Sequence, residues 1–240
     1  ISISGSLSSS FTHAFANGSV ELAVTVSGGQ ATKIEFYDGE TFLGEVAEEP
    51  YNFTASNLFA GKHNFYAKIF DNEAYAISNA VTVIAGQQLP YTGSVFSIPG
   101  TIEAGLYDKF EGGVAQDIAY IDVSVNNEGG FRPEEYVDAL EVANEGATVG
   151  WIAAGEWLEF SIDVDQPGYY TFDFRHASDN ANGGGPFHLE LDGNPITDPI
   201  FTNNTGGWNT WQTKSYGQVA FSQGDHILRV VFGSGEFNLG

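Results

Sequence analysis

Apolar residues recur at every second position along much of this chain. In Trp157–Val164, Leu158, Phe160, Ile162 and Val164 alternate with Trp157, Glu159, Ser161 and Asp163. A period of two places the first set on a buried sheet face and the second toward solvent. Residues 169–177 repeat the pattern, with Tyr170, Phe172 and Phe174 on one side and Thr171, Asp173 and Arg175 on the other. Such runs return every ten residues or so, separated by Gly, Asn, Asp and Pro, as in sandwiches and barrels. No long stretch carries the helical period. The predicted class is all-β.

The runs fall into two groups. Residues 1–86 hold short alternating segments at 20–26, 33–37, 41–46, 51–55, 61–70 and 76–84, with an Asp38-Gly39 hairpin turn between two of them. Strands of that number and spacing predict a small β-sandwich. Residues 87–97, with Pro90 and Gly93, read as a short linker. Residues 98–240 hold strand-like runs at 101–104, 118–122, 139–142, 157–164, 169–177, 187–191, 210–219 and 226–232, which predict a jelly-roll sandwich.

The candidate chemistry is aromatic. In Asn203-Asn204-Thr205-Gly206-Gly207-Trp208-Asn209-Thr210-Trp211 the Asn and Gly-Gly pieces are turn chemistry. Trp208 is therefore expected to stand exposed at a loop tip, and Trp211, where alternation resumes, to pack inside. Trp151 lies among small residues in Thr148-Val149-Gly150-Trp151-Ile152-Ala153-Ala154-Gly155 and is expected on a rim. Two indoles on separate loops can clamp a flat ligand, such as a sugar ring with its face of axial C–H groups. Aromatic stacking contributes on the order of 1 kcal/mol beyond area burial. Asn238 is the neighbouring amide that would give direction to the contact. Trp157 falls on the polar face of its strand, as a second exposed aromatic or one covered by a loop.

Charge narrows the partner. The chain carries 31 acidic against 8 basic residues, a formal net charge of −23. Phosphate backbones and anionic membranes would repel it, so a nucleic acid or membrane partner is not expected, and a neutral polymer is. The acids are scattered, as on a surface suited to salty surroundings. There is no Cys, which excludes disulfides and thiolate chemistry. The 42% hydrophobic content, with 19 Phe, 11 Tyr and 4 Trp, supplies a real core.

Two resemblances sharpen the reading. Residues 18–84 resemble the bacterial immunoglobulin-like domains of secreted glycan-degrading proteins, through Ile34-Glu35-Phe36-Tyr37-Asp38-Gly39, Leu43-Gly44, Pro50-Tyr51-Asn52-Phe53 and Ala60-Gly61-Lys62-His63. The resemblance implies a spacer, with His13 and His63 as packing or surface residues. Residues 98–240 resemble a family 6 carbohydrate-binding module. The pieces are Ile98-Pro99-Gly100-Thr101-Ile102-Glu103-Ala104, Ala119-Tyr120-Ile121-Asp122, Gly129-Gly130-Phe131-Arg132-Pro133, Val149-Gly150-Trp151 through Phe160, Phe187-His188-Leu189-Glu190-Leu191-Asp192-Gly193, Thr205-Gly206-Gly207-Trp208 and Phe237-Asn238-Leu239.

This second resemblance implies a sugar cleft at the loop edge. Trp151 and Trp208 would sandwich one ring, Asn238 would hydrogen-bond it, and Asp122, with Tyr120 beside it, would join from an early strand. A second cleft on the sheet face would use Trp157 and Glu159. A structural calcium is implied at Glu103, although Gly105 stands where the family often has a second acid. The implied partner is a neutral polysaccharide of the agarose, β-glucan or xylan class. The salt-adapted acidity makes a marine galactan such as agarose attractive. The family's usual strand after Asn-Leu has no counterpart before Gly240, and the sequence is expected to be a secreted, targeting piece of a longer glycan-degrading enzyme. A structural or adhesive surface module is the alternative.

Catalysis is not expected within this chain. Glycoside hydrolysis needs two carboxylates about 5 Å or about 6.5–9.5 Å apart across a cleft. Glu156 and Glu159, three positions apart on a strand, point to opposite faces, and Glu190-Leu191-Asp192 has Pro195 where a glucanase pattern needs its last acid. A hydrolase with an unrecognised site is the remaining alternative.

Overall fold

In the computed structural model, which describes residues 3–72 and 74–240, the chain divides into two compact units. The first comprises residues 1–87 with 111–113, the second 88–110 with 114–240. The one helical element among the described residues is the short 3-10 turn Ala104–Leu106.

The first unit is a two-sheet sandwich. One sheet pairs Ser4–Ser9, Ser19–Ser27 and Asn52–Ser56 in that order. The other runs His13–Ala14, Val81–Ala85, Gly61–Asp71, Lys33–Asp38, Thr41–Val46, with Ala74–Ile77 added to the long Gly61–Asp71 strand. Alternation does the sorting: Val20, Leu22 and Val24 from one sheet meet Ile34, Phe36, Phe65, Ala67 and Ile69 from the other in one buried core. Two apolar faces of this kind exclude water from the space between the sheets and provide the main stabilising term. His63 shares that buried face. Its ring nitrogens meet the Asp38 carboxylate at 2.5 Å and the Phe59 carbonyl at 2.9 Å. It is a satisfied packing residue, and His13 is exposed.

The second unit is the larger sandwich. Its first sheet has the order Phe96–Ile98, Trp157–Val164, Gly224–Phe232, Phe187–Leu191, Asn194–Pro195, with Tyr120–Ile121 also pairing with Trp157–Val164. Its second has the order Ala139–Val142, Gly146–Val149, Asn238–Leu239, Gly168–Ser178, Gly207–Phe221. Phe160, Phe174, Phe187, Phe232 and Phe237 are buried. Phe187 lies edge-on to Phe174 at 5.2 Å and stacked on Phe237 at 5.6 Å.

Three expectations change here. The segment 87–97, read as a short linker, carries strands: Gln88–Leu89 pairs with Lys109–Phe110, and Phe96–Ile98 runs parallel to Ile162–Val164 of the Trp157–Val164 strand. Two or three residues of alternation are too few to reveal such strands. Residues 101–103, expected in a strand over 101–104, are irregular and lead into the 3-10 turn. Glu159 is buried rather than solvent-facing, because Asp108 donates its backbone N–H to the Glu159 carbonyl and that segment covers the strand. Alternation fixed the buried phase of Leu158, Phe160, Ile162 and Val164 but could not say that the opposite face is also covered.

Candidate functional site: an aromatic cleft

Trp208 is the second residue of the Gly207–Phe221 strand, directly after the turn at Gly206. Gly206 has φ +91°, a conformation that glycine adopts without strain. The turn lifts Trp208 to the sheet edge, where it is 42% exposed. Trp151 follows the Gly146–Val149 strand and is 58% exposed. It sits at φ +46°, which is rare for a bulky residue and costs on the order of 1 kcal/mol. The loop thus holds this indole outward against both its hydrophobicity and its backbone preference.

Both indoles line one cleft of about 610 Å³, together with Leu140, Ile152, Asn209, Glu236, Phe237 and Asn238. Asn238 enters from the Asn238–Leu239 strand, which pairs with Val149 on one side and with His176 and Ala177 on the other. Its Nδ2 donates to the Trp208 carbonyl at 2.8 Å. A Cβ at Gly150 would lie 2.9 Å from Asn238 Oδ1, so only glycine lets the amide lie flat against that backbone. The lining holds no Lys or Arg and one carboxylate, Glu236.

The Trp151 loop is fastened from below by Glu156. One carboxylate oxygen accepts the Ala153 N–H at 2.8 Å and the other accepts the Val123 N–H at 3.3 Å. Burial pushes the Glu156 carboxyl up to about 7, against the lowering effect of the Ala153 N–H and with a further upward push from Asp122 and Asp138. Burial likewise raises Asp122 and Asp138.

The remaining expected site residues fall elsewhere. Tyr120 is fully buried; its hydroxyl donates to Glu135 at 2.8 Å and accepts the Tyr136 N–H at 3.0 Å. Asp122 is also buried, with its carboxylate on the Ser124 N–H at 2.7 Å. Neither lines the cleft. Trp157 is half-buried, and the Arg229 guanidinium lies 4.3 Å from its ring centroid. Arg229 also clamps Glu159 through Nε at 2.8 Å and Nη2 at 2.5 Å. At the expected second cleft, then, one face of the Trp157 indole is occupied by Arg229, which also pairs with Glu159. Trp211 is half-buried against Gly240, and its Nε1 has no protein partner.

The side chains around Glu103 make a poor donor set for calcium. Glu103 Oε2 accepts the Ala147 N–H at 2.7 Å. A Cβ at Gly105 would meet Ala147 at 2.9 Å, so no acid fits there. Glu145, which lines the same groove as Glu103, is taken bidentately by Arg175 at 2.8 and 2.6 Å. Among the described residues no three acidic or histidine side chains converge to hold a metal.

Glu236 and Asn209 were not singled out in the sequence. Both sit beside residues that were, Asn238 and Trp208, and lone polar residues in an acidic chain carry little signal by themselves.

Two outward indoles and an amide thus share one edge cleft of this β-sandwich. Residues 123–240 match the family model described as carbohydrate binding module (family 6). The C-terminal module of a marine laminarinase from Zobellia galactanivorans is 31% identical, over 43% of this chain and 83% of its own, with a TM-score of 0.39. A module of a Cellvibrio mixtus lichenase, solved with cellotriose, is 32% identical over 42% of this chain and 79% of its own, with a TM-score of 0.37. A cycloisomaltooligosaccharide glucanotransferase of Niallia circulans is 26% identical over 122 residues, half of this chain but 11% of that enzyme's length. Through its second unit the chain belongs to family 6 of the carbohydrate-binding modules.

Proposed function

We propose that the second unit binds a neutral polysaccharide by stacking one ring between Trp151 and Trp208 while Asn238 hydrogen-bonds its hydroxyls. The observation that carries this reading is the pair of solvent-exposed indoles on one cleft, one of them in a strained conformation. A protein gains nothing in stability from holding Trp151 that way; it gains a stacking face. The absence of Lys and Arg from the lining favours an uncharged ligand. β-Glucan, agarose and xylan are the polymers to present; cellotriose in the lichenase module supports a β-glucan among them.

In this reading the unit performs no chemistry. It holds a secreted, glycan-active parent protein near its polymer and raises the effective concentration there. The small share of the glucanotransferase that this chain matches supports a module within a longer enzyme. Affinity electrophoresis against the three polymers tests it. Retardation that disappears in Trp208→Ala supports the reading, and equal mobility in all gels contradicts it.

A further inference from the structure

Glu236 is the one charged side chain on the cleft wall, and nothing in the fold requires a charge there. It lies in the Gly233–Phe237 turn at φ +69°. The backbone around it is pinned: Ser178 Oγ donates to the Glu236 carbonyl at 2.7 Å, and the Gly185 N–H donates to the Gly235 carbonyl at 2.9 Å. The side chain is aimed by Asn180, whose Nδ2 donates to Glu236 Oε2 at 3.1 Å. Asn180 is held in turn, its carbonyl accepting from Asn204 Nδ2 at 2.7 Å. No lysine, arginine or histidine pairs with Glu236 among the described residues, and its Oε1 has no protein partner there. A carboxylate fixed through one oxygen, with the other left free beside two indoles, is placed to accept hydrogen bonds from a ligand.

We propose that Glu236 is a specificity-determining residue of this cleft, reading free hydroxyl groups at the edge of the ring held by Trp151 and Trp208. This rests on the stacking reading above. A carboxylate is acceptor-only when ionised, and hydrogen bonds to it are about twice as strong as neutral ones. Sugar hydroxyls are the donors that such an oxygen selects. The class of ligand is a neutral saccharide with unsubstituted hydroxyls where the ring meets Glu236; a sulfate ester or uronate there faces like charge without a cation nearby to offset it. A site built to bond a hydroxyl also rejects the analogue that lacks it.

The test uses the 240-residue chain and titration calorimetry with cellohexaose, laminarihexaose, xylohexaose and neoagarohexaose. The variants are Glu236→Gln, Asn180→Ala and Trp208→Ala. Gln keeps an acceptor oxygen for Asn180, so the loop and the melting temperature are preserved while the charge is lost. For the hexaose that binds tightest, Glu236→Gln is expected to weaken affinity roughly tenfold or more, and Asn180→Ala by a smaller factor because Glu236 loses its aim. Glu236→Gln binding within about twofold of the parent chain, with Trp208→Ala inactive, overturns the role of Glu236 and leaves the stacking site standing. Trp208→Ala binding as well as the parent chain, or no hexaose binding at all, overturns the stacking reading and this proposal with it.

Discussion

The side-chain amide of Asn238 donates to the backbone carbonyl of Trp208 at 2.8 Å, although the two residues lie 30 positions apart. That bond joins the last described strand to the start of the Gly207–Phe221 strand, at the Trp208 side of the cleft. Asn238 Oδ1 in turn lies against Gly150, the neighbour of Trp151. The three motifs thus converge on one amide.

Gly150→Ala therefore acts on binding more than on stability. Its new methyl would approach Asn238 Oδ1 to 2.9 Å, and the far end of a flexible side chain gives way most easily. Sugar affinity is expected to fall about tenfold while the melting temperature changes little. Calorimetry and thermal melts check it; unchanged affinity would show that the amide is free to move.

The conformation of Trp151 yields a different signature. At φ +46° a glycine is relaxed and an alanine is not. Trp151→Gly is expected to be more stable than Trp151→Ala by about 1 kcal/mol, although neither presents a ring to the sugar. Urea unfolding of the two variants measures the difference directly. Alanine equal to or above glycine would place no strain at this position.

The buried carboxyl of Glu156 makes stability depend on pH. Its folded pKa of about 7 lies above the ordinary 4.5, so the folded chain holds the proton more tightly than the unfolded chain. Stability from this group is present below pH 4.5 and is lost as pH rises through 7, by an amount on the order of 3 kcal/mol. Asp122 and Asp138, both raised, act in the same direction. His176, buried and lowered from 6.5, acts oppositely as pH falls. Comparing the parent chain with Glu156→Gln isolates the first effect. The variant is expected to gain on the parent chain between pH 4.5 and 8 in urea unfolding, whereas a constant difference would mean that Glu156 titrates normally.

Chelation provides a fourth check. With Glu103 Oε2 on the Ala147 N–H and Glu145 paired with Arg175, few side-chain oxygens are left here for calcium. Excess chelator is expected to leave both melting temperature and sugar affinity unchanged. A fall of several degrees, reversed by calcium, would reinstate a site built on backbone carbonyls.

The legibility of the chain follows from how many residues specify each feature. Long strands such as Trp157–Val164 carry four buried positions in phase, and the all-β class and both sandwiches follow from them. Trp208 was readable because Gly206 and the asparagines leave it no core to enter, and Trp151 because its neighbours are small. Tyr120 and Asp122 misled because Tyr120–Ile121 is a two-residue strand, too short to declare a face, and Glu135 waits on the far side to satisfy the phenol. For Trp157 and Glu159 the sequence is silent about their partner, Arg229, which lies 70 positions from Glu159, a distance that no local pattern reports. Glu236 was hidden by the 31 acids around it in the composition.

The central claim concerns where the sugar sits, and a crystal structure of the chain soaked with its tightest-binding hexaose addresses it most directly. A pyranose ring between the indoles of Trp151 and Trp208, within hydrogen-bonding reach of Asn238, is the predicted result. A saccharide ordered over Trp157, or anywhere else while that cleft holds only solvent, would contradict it.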